Sequence, residues 1–585
     1  MNAPDKLPMP SSLDQDSSRG QALTLFPLER LQHLDVDSAL RCQMMLGHGG
    51  TFGIWETTET MIPHMRPSMR RIDLRRRISS YLPSEAPASP VLDKLLDEGA
   101  LWMTRLALLM RLGPAGVGGR WRFKRLDAST IANILYQYQA KLVALGASRR
   151  LENRANSSMA FASAISAEDL GTLWAKDESR CELRRLTQLR ALGLWSDAPA
   201  AREFKGQTTA VGGTPTPGVP ERKKIPHPPI PDDYMAAMGP RVLWLIRDVG
   251  PNLIHLLETL PTMIGSAEAK HRKVTTCITH YFETTVWRDR NGRVIEKPPF
   301  DLRHAGDSEK HVRNDHSQQE PFKWPSRSWR SVQTLAVMLQ SAHLWMALLV
   351  MAARISEVAT LRRNCVVFAP DGQAYANGKT FKASRALAGK EREWPLPEMM
   401  VDVFAQQVKL VEASERLARL IDRSAEMADL LGDSNHMWAS LGASSRSDAT
   451  EKLNSYDTTL QRFAVRIGMS PKPGGKSLYP HRLRKTLARL AGLAIDGSQK
   501  VLMLLLGHDD VTTTLGYMQS DRAFAKEVND ITRELRIMRG EALIEDMRAA
   551  LRDPNSLPYG GHGGGGAPVL ADSVLAYEEE LHRSG

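Results

Sequence analysis

The sequence predicts a multidomain, mainly α-helical protein that carries one small antiparallel β-sheet. Three observations lead there. The chain has 585 residues, which at roughly 150 residues per domain allows three or four domains and disfavours a single core. Apolar residues recur at steps of three and four through most of its length, as at Ile131, Ile134, Leu135 and Tyr138, the rhythm of an amphipathic helix. One stretch alone reads as successive strands: NCVVFA, a Pro370-Asp371-Gly372 turn, QAYANGKTFK, and a closing REWPLP. Turn residues between β-branched and aromatic runs mark such a sheet.

In chain order, residues 1–35 are rich in Ser, Asp and Pro and read as a mobile tail. Residues 36–205 form an N-terminal helical region. Asp127 or Ser129 serves as N-cap for TIANILYQYQAKLVALGA, and CELRRLTQLRALGLW predicts a second helix with Leu183, Leu186, Leu189 and Leu192 on one stripe. Arg184, Arg185 and Arg190 would lie off that stripe. Residues 206–233 hold Pro215, Pro217, Pro220, Pro226, Pro228, Pro229 and Pro231. Proline removes amide donors and favours extended backbone, so this stretch reads as an interdomain linker. A helical connecting region follows over 234–321. Residues 322–540 begin with a long helical text, SWRSVQTLAVMLQSAHLWMALLVMAARISEVATL, pass through the sheet and return to helices. A helix end and a Gly-rich tail, YGGHGGGGAP, with an acidic end segment make up 541–585.

Composition bounds the function classes. Hydrophobic residues at 42% and charged residues at 24% are ordinary globular values and exclude global disorder and collagen-like or coiled-coil designs. Net charge is +11, an excess suited to a polyanionic partner. The four cysteines, Cys42, Cys181, Cys277 and Cys365, are too scattered for a disulfide framework or a zinc ribbon, which fits a reducing cytoplasm. The N-terminus lacks the basic and apolar regions of a signal peptide. The strongly apolar run from Leu344 to Ala353 is far shorter than the roughly 20 residues that span a bilayer, so no membrane role is expected.

Four short motifs stand in order in the last part of the chain: Arg354-Ile355-Ser356-Glu357, His481-Arg482-Leu483-Arg484, Leu506-Gly507-His508, and Tyr517 nine residues after that histidine. Taken singly, each has an ordinary structural reading as a helix-surface ion pair, a solvated face, a core histidine or a packed aromatic. Their order and spacing together are what point to chemistry.

The combination resembles the tyrosine recombinases, the phage lambda integrase family, over about residues 322–540, in the local texts ARISEV, HRLRKT and LGHDDVTTTLGYM. Residues 95–200 loosely resemble the helical core-binding domain that precedes the catalytic domain in that family. The chemistry explains the residue types. Opening a phosphodiester without a metal needs charge on the non-bridging oxygens neutralised as phosphorus becomes five-coordinate. Guanidinium is always charged and offers a planar fork, each charge-assisted bond contributing roughly 1.5–3 kcal/mol. Arg354 and Arg484 are the expected clamp.

Tyr517 is the expected nucleophile, giving a 3′-phosphotyrosine and a free 5′-hydroxyl and conserving the bond energy for rejoining. A phenol with pKa about 10 is only about 0.1% ionised at pH 7, so His481 is the candidate base and His508 a donor to a phosphate oxygen. The resemblance further implies a lysine acid in the turn after the second strand. Lys382 is the choice and Lys379 the second. Glu357, three residues after Arg354, is expected to orient its guanidinium. Lys485 stands where many relatives have histidine.

The resemblance implies double-stranded DNA as partner, a homotetramer on DNA or assembly with related recombinases, no cofactor and no metal, and a role in integrating or excising a mobile element. The residues after Tyr517, DRAFAKEVNDITRELRIMRG, or the acidic end segment would dock on a neighbouring protomer. Two other classes share parts of the pattern: a type IB topoisomerase or telomere resolvase with the same chemistry, and a non-catalytic DNA-binding accessory protein. Outside the four motifs, Arg120, Arg122, Lys124 and Arg125 interleave with Trp121 and Phe123 as a phosphate-tracking surface would. Arg70, Arg71, Arg75, Arg76 and Arg77 form a second basic cluster. His304, His311 and His316 lie in polar text with no cysteine partner and read as a solvated loop.

Overall fold

The computed structural model describes residues 28–494 except 64, 66, 84–89, 115–124, 153–159, 167–168, 170–176, 199–227, 270–273, 305–321, 381–388, 422–434, 443–448 and 454–455, and beyond 494 only Met503, Leu506, Ile537, Met538, Glu541 and Glu545.

The chain is mainly helical with two small antiparallel sheets. Helix α1 (Val36–Met45) starts on Asp35, whose carboxylate accepts from the Ser38 amide. A hairpin of β1 (Ile54–Glu56) and β2 (Arg71–Asp73) follows, in register Trp55 to Ile72. No sequence signal announced this pair, because three-residue strands are too short to show alternation. Next come α2 (Leu74–Ser79), the long α3 (Pro90–Leu112) and α4 (Ala128–Ile134). Asp127 is the N-cap of α4 and accepts from the Thr130 amide at 2.8 Å, while Ser129 donates to the same carboxylate. A single π-helical turn (Leu135–Gln139) joins α4 to α5 (Ala140–Glu152).

Helix α6 (Asp177–Ala191) buries Leu183, Leu186 and Leu189 but leaves Leu192 outside the helix and 41% exposed. Each step of three falls about 60° short of a full turn, so a four-leucine stripe at that spacing drifts to the opposite face. The same drift carries Arg185 inward, where it pairs with Glu182 at 3.2 Å and both are buried.

After the proline-rich stretch come α7 (Asp232–Trp244), a second π turn (Leu245–Val249), α8 (Gly250–Ala269) and α9 (Val274–Thr284). Helix α10 (Trp329–Val350) is capped by Ser328 and buried along nearly its whole length. By length and composition it could cross a bilayer, a length the apolar run Leu344–Ala353 underestimated, but 83% of its apolar window lies inside the protein. It is a core helix. The expected continuous helical text to Leu361 is instead broken at Met351–Arg354, and a one-turn α11 (Ile355–Val358) follows. Strands β3 (Val366–Phe368), β4 (Ala374–Thr380) and β5 (Lys390–Leu396) form the expected sheet in the order β3-β4-β5. Helices α12 (Glu398–Ile421), α13 (Tyr456–Arg466) and α14 (Pro480–Ala494) complete the described elements.

Two compact units emerge, neither contiguous in sequence. One gathers Met1–Lys223 with Ile355–Glu393 and Gln407–Tyr456, the other Lys224–Arg354 with Trp394–Gln406 and Asp457–Gly585. The first has a core in which Trp102 meets Trp195 and Phe161 edge-on, at 5.3 and 6.4 Å. Asp197 organises it, accepting from the Trp102 indole at 2.8 Å and from the amides of Phe161, Ala162 and Ser163. Gly146 lets α5 approach this turn, since a Cβ there would sit 2.4 Å from the Phe161 carbonyl oxygen. In the second unit the π turn frees the Ile246 carbonyl, which accepts from Gln406 at 3.0 Å while Gln406 meets buried His343 at 2.7 Å. A buried carbonyl left without a donor would cost about 1–3 kcal/mol.

Candidate functional site

The site grows from the start of α14. Pro480 opens that helix, where its missing amide is no loss and its fixed φ is already helical. His481 follows in the first turn and is exposed, whereas Arg484, one turn further on, is 2% exposed. The expected shared face is therefore divided between solvent and interior, because the inner turns of α14 pack against α10.

The Arg484 guanidinium donates from Nη1 to the Ala352 carbonyl and from Nη2 to the Leu506 carbonyl, each at 2.5 Å. Ala352 has φ +46°. A non-glycine residue there is strained, because its Cβ crowds the following carbonyl. That left-handed residue ends α10, turns its oxygen toward Arg484 and sends the chain into Arg354, which is half-buried just before α11. Leu506 is fully buried and stands two residues before His508. One buried cation thus ties the backbone entering Arg354 to the backbone entering the Leu506-Gly507-His508 motif, across 132 and 22 residues. His508 and Tyr517 themselves lie outside the described residues.

Sequence reasoning missed the other half of the HRLRKT text. Arg482 is 1% exposed and donates to the carbonyls of Pro228, Pro229, Pro473 and Lys476, at 3.0, 3.0, 2.9 and 2.5 Å. Thr486 Oγ1 accepts from the Ile230 amide at 2.8 Å, and Asp232 pairs with Arg489 at 2.6 Å. The end of the proline-rich stretch is therefore strapped to α14. The available signal was a run of prolines whose carbonyls need donors from elsewhere, facing a helix with Arg and Thr one turn apart.

Glu357 and Lys379 belong to the first unit. Glu357 is fully buried, accepts from Thr380 Oγ1 at 2.7 Å and lies 3.6 Å from the Arg392 guanidinium. Lys379 sits on β4, and its amide donates to Thr360 Oγ1 at 2.9 Å. Glu357→Ala leaves Arg392 without this buried carboxylate and should destabilise the protein by roughly 3 kcal/mol, with Glu357→Gln losing less because the acceptor for Thr380 survives. Urea unfolding reads the difference, and equal midpoints for all three proteins would refute it.

Lys382, Arg120, Arg122, Lys124, His311 and His316 lie outside the described residues. Arg125 is half-buried, and His304 Nδ1 is 3.2 Å from Thr334 Oγ1. The second basic cluster is largely engaged within the first unit: Arg70 with Glu59, Arg71 with Glu56, Arg75 with Asp97, and Arg77 over the Tyr136 ring. No group of three or more metal-ligating side chains occurs among the described residues.

No family model matches the chain, and no curated protein does. Among solved structures it is similar to a post-cleavage complex of the XerH site-specific recombinase bound to a palindromic difH substrate, at 13% identity and a TM-score of 0.29, over 78% of this chain and 93% of that one.

Proposed function

We propose that the chain is a DNA strand transferase, a site-specific recombinase that cuts and rejoins duplex DNA through a 3′-phosphotyrosine. The observation that carries this reading is the Arg484 tie. A buried guanidinium of the HRLRKT text that donates both to the backbone two residues before Arg354 and to the first residue of the Leu506-Gly507-His508 motif supports reading these texts as one unit, of residue types suited to phosphate chemistry.

In the proposed reaction Arg354 holds the non-bridging oxygens of the scissile phosphate, with His508 donating a further hydrogen bond, while Arg484, whose Nη1 and Nη2 each keep a hydrogen bond to a backbone carbonyl, contributes its charge and its remaining N–H groups. The Tyr517 phenolic oxygen attacks phosphorus and passes its proton to His481. The bond from phosphorus to the 5′ oxygen breaks, and that oxygen takes a proton from Lys382 or Lys379. A 5′-hydroxyl from a second duplex then reverses the step and releases Tyr517. The phosphoester count is unchanged throughout, so the exchange needs no nucleotide triphosphate. The assembly that goes with this reading is a tetramer on two DNA sites, serving integration or excision of a mobile element. The +11 net charge suits such a polyanionic substrate and makes binding salt-sensitive, with log affinity falling by about 0.9 per phosphate neutralised for each decade of salt.

The test is a pool of nicked duplexes in which the cleaved fragment diffuses away and traps the intermediate. Wild type should form a protein–DNA adduct that survives denaturing detergent, with the phosphate mapped to Tyr517, and Tyr517→Phe should form none. An adduct on another residue would overturn the reading. Site-independent relaxation of supercoiled plasmid would transfer the same chemistry to a topoisomerase.

A further inference from the structure

We propose that Arg482 and Thr486 are positioning residues, which clamp the end of the proline-rich stretch against α14 and so fix the turn that carries His481. The proposal rests on the strand-transfer reading, in which His481 takes the Tyr517 proton. Helix geometry creates the need for a clamp. The amides of a first helical turn have no partner inside the helix, so outside contacts decide where that turn sits. His481 stands there and is exposed, and its reach is set by the backbone beneath it. Arg484 has ties of its own, to Ala352 and Leu506.

Two segments meet at this turn, and the Arg482 guanidinium holds both. Nη1 donates to the Pro473 and Lys476 carbonyls of the loop before α14, while Nε and Nη2 donate to the Pro228 and Pro229 carbonyls of the stretch. Thr486 Oγ1 accepts from the Ile230 amide at 2.8 Å and donates to the Arg482 carbonyl at 2.9 Å, which couples the stretch to the backbone of α14. The loop is shaped for the stretch: Gly474 has φ +61°, and a Cβ there would stand 3.2 Å from Pro231 Cγ. Tyr234, buried just beyond the stretch, donates to the Ser470 carbonyl at 2.8 Å. Proline has a fixed φ, so a segment held at Pro228, Pro229 and Ile230 has little freedom to yield.

Three variants of the full chain test the clamp. Thr486→Val keeps the branched shape and removes the oxygen. Gly474→Ala presses on Pro231 from an exposed loop position and carries the test if the buried substitution fails to fold. Thr486→Ser keeps the hydroxyl and is the rescue. Hydrogen exchange reads the clamp directly, because Ile230 has the sole amide hydrogen between Pro228 and Pro231. That amide should be protected in wild type and in Thr486→Ser and should exchange faster in the other two. The rate of Tyr517–DNA adduct formation at saturating nicked duplex reads the site, from about pH 5.5 to about 8.5, a range that brackets the ordinary histidine pKa of about 6.5.

An imidazole takes a proton only when it is neutral. The loosened variants should therefore match wild type at the acid end and fall behind as pH rises, by roughly tenfold or more at the alkaline end, out of the ~10²–10⁴-fold that a placed base contributes. A rate lowered by one factor at every pH would show a structural role only and overturn the proposal. Wild-type rates in a variant whose Ile230 amide exchanges fast would overturn it too, as would unchanged Ile230 protection in both loosened variants. A wild type that forms no Tyr517 adduct would sink the strand-transfer reading and this proposal with it, whereas an adduct with pH-independent losses sinks this proposal alone.

Discussion

Replacing Arg484 with alanine should cost about 2–5 kcal/mol of stability and remove DNA cleavage altogether. The stability term follows from two buried carbonyls, Ala352 and Leu506, that now accept from one cation at 2.5 Å each. A hydrogen bond to a charged group contributes roughly 1.5–3 kcal/mol, and a buried acceptor without a donor is penalised further. Part of the lost energy holds Ala352 in its left-handed conformation, so Ala352→Gly should relax that strain and raise stability by up to about 1 kcal/mol. Arg484→Lys separates the two roles. An ammonium keeps the charge but lacks the planar fork that reaches two carbonyls at once, so this variant should recover part of the stability and none of the cleavage. Urea unfolding and the nicked-duplex adduct assay read the two quantities. A lysine variant that cleaves like wild type would show that charge alone suffices, and an alanine variant with wild-type stability would show that the tie is incidental.

Lowering the pH from 7 to 4 should weaken the first unit by up to roughly 3 kcal/mol through one histidine, His48. This side chain is fully buried, stacked on Trp55 at 4.3 Å, and accepts at Nε2 from Arg111 at 3.2 Å. An imidazole that accepts at Nε2 carries its proton on Nδ1, which lies 3.1 Å from the Glu56 carbonyl oxygen. The ring is therefore neutral by construction. Burial, and then the neighbouring Arg111 charge, hold its pKa down to about 3, and burial brings Arg111 down to about 10. The unfolded chain takes up this proton near pH 6.5 and the folded chain only near 3, so the unfolded state binds more protons in between. The stabilisation is complete above pH 6.5 and is lost as the pH falls toward 3. Desolvation of His436 lowers its pKa too and acts in the same direction, so the diagnostic is a difference. His48→Gln, which can still accept from Arg111 and donate to Glu56, should lose less stability than wild type between pH 6.5 and 5, a window above the titration of ordinary carboxylates. Identical slopes for the two proteins would refute the assignment.

Local signals in the sequence were sufficient for the mainly helical class, for the helix that Asp127 caps and for the three-stranded sheet. Asp127 caps α4 because a short carboxylate beside the first free amides is its own explanation. Periodicity located α6 but misplaced Leu192 and Arg185, since a spacing of three does not follow a 3.6-residue turn over four residues. The β1–β2 pair and the break at Ala352 left no comparable trace, one because its strands are so short and the other because alanine ordinarily extends a helix.

Residue types and their order, by themselves, determined which chemistry this chain can be asked to perform: forked cations, an imidazole and a phenol are recognisable wherever they stand. Tertiary structure alone decided that Arg484 is an interior tie while His481 faces solvent, that Arg482 and Thr486 strap down the proline-rich stretch, and that Glu357 meets Thr380 and Arg392. The physical reason is that the worth of a polar side chain depends on desolvation and on partners that are in most of these cases tens to hundreds of residues away, and both are set only when the chain packs.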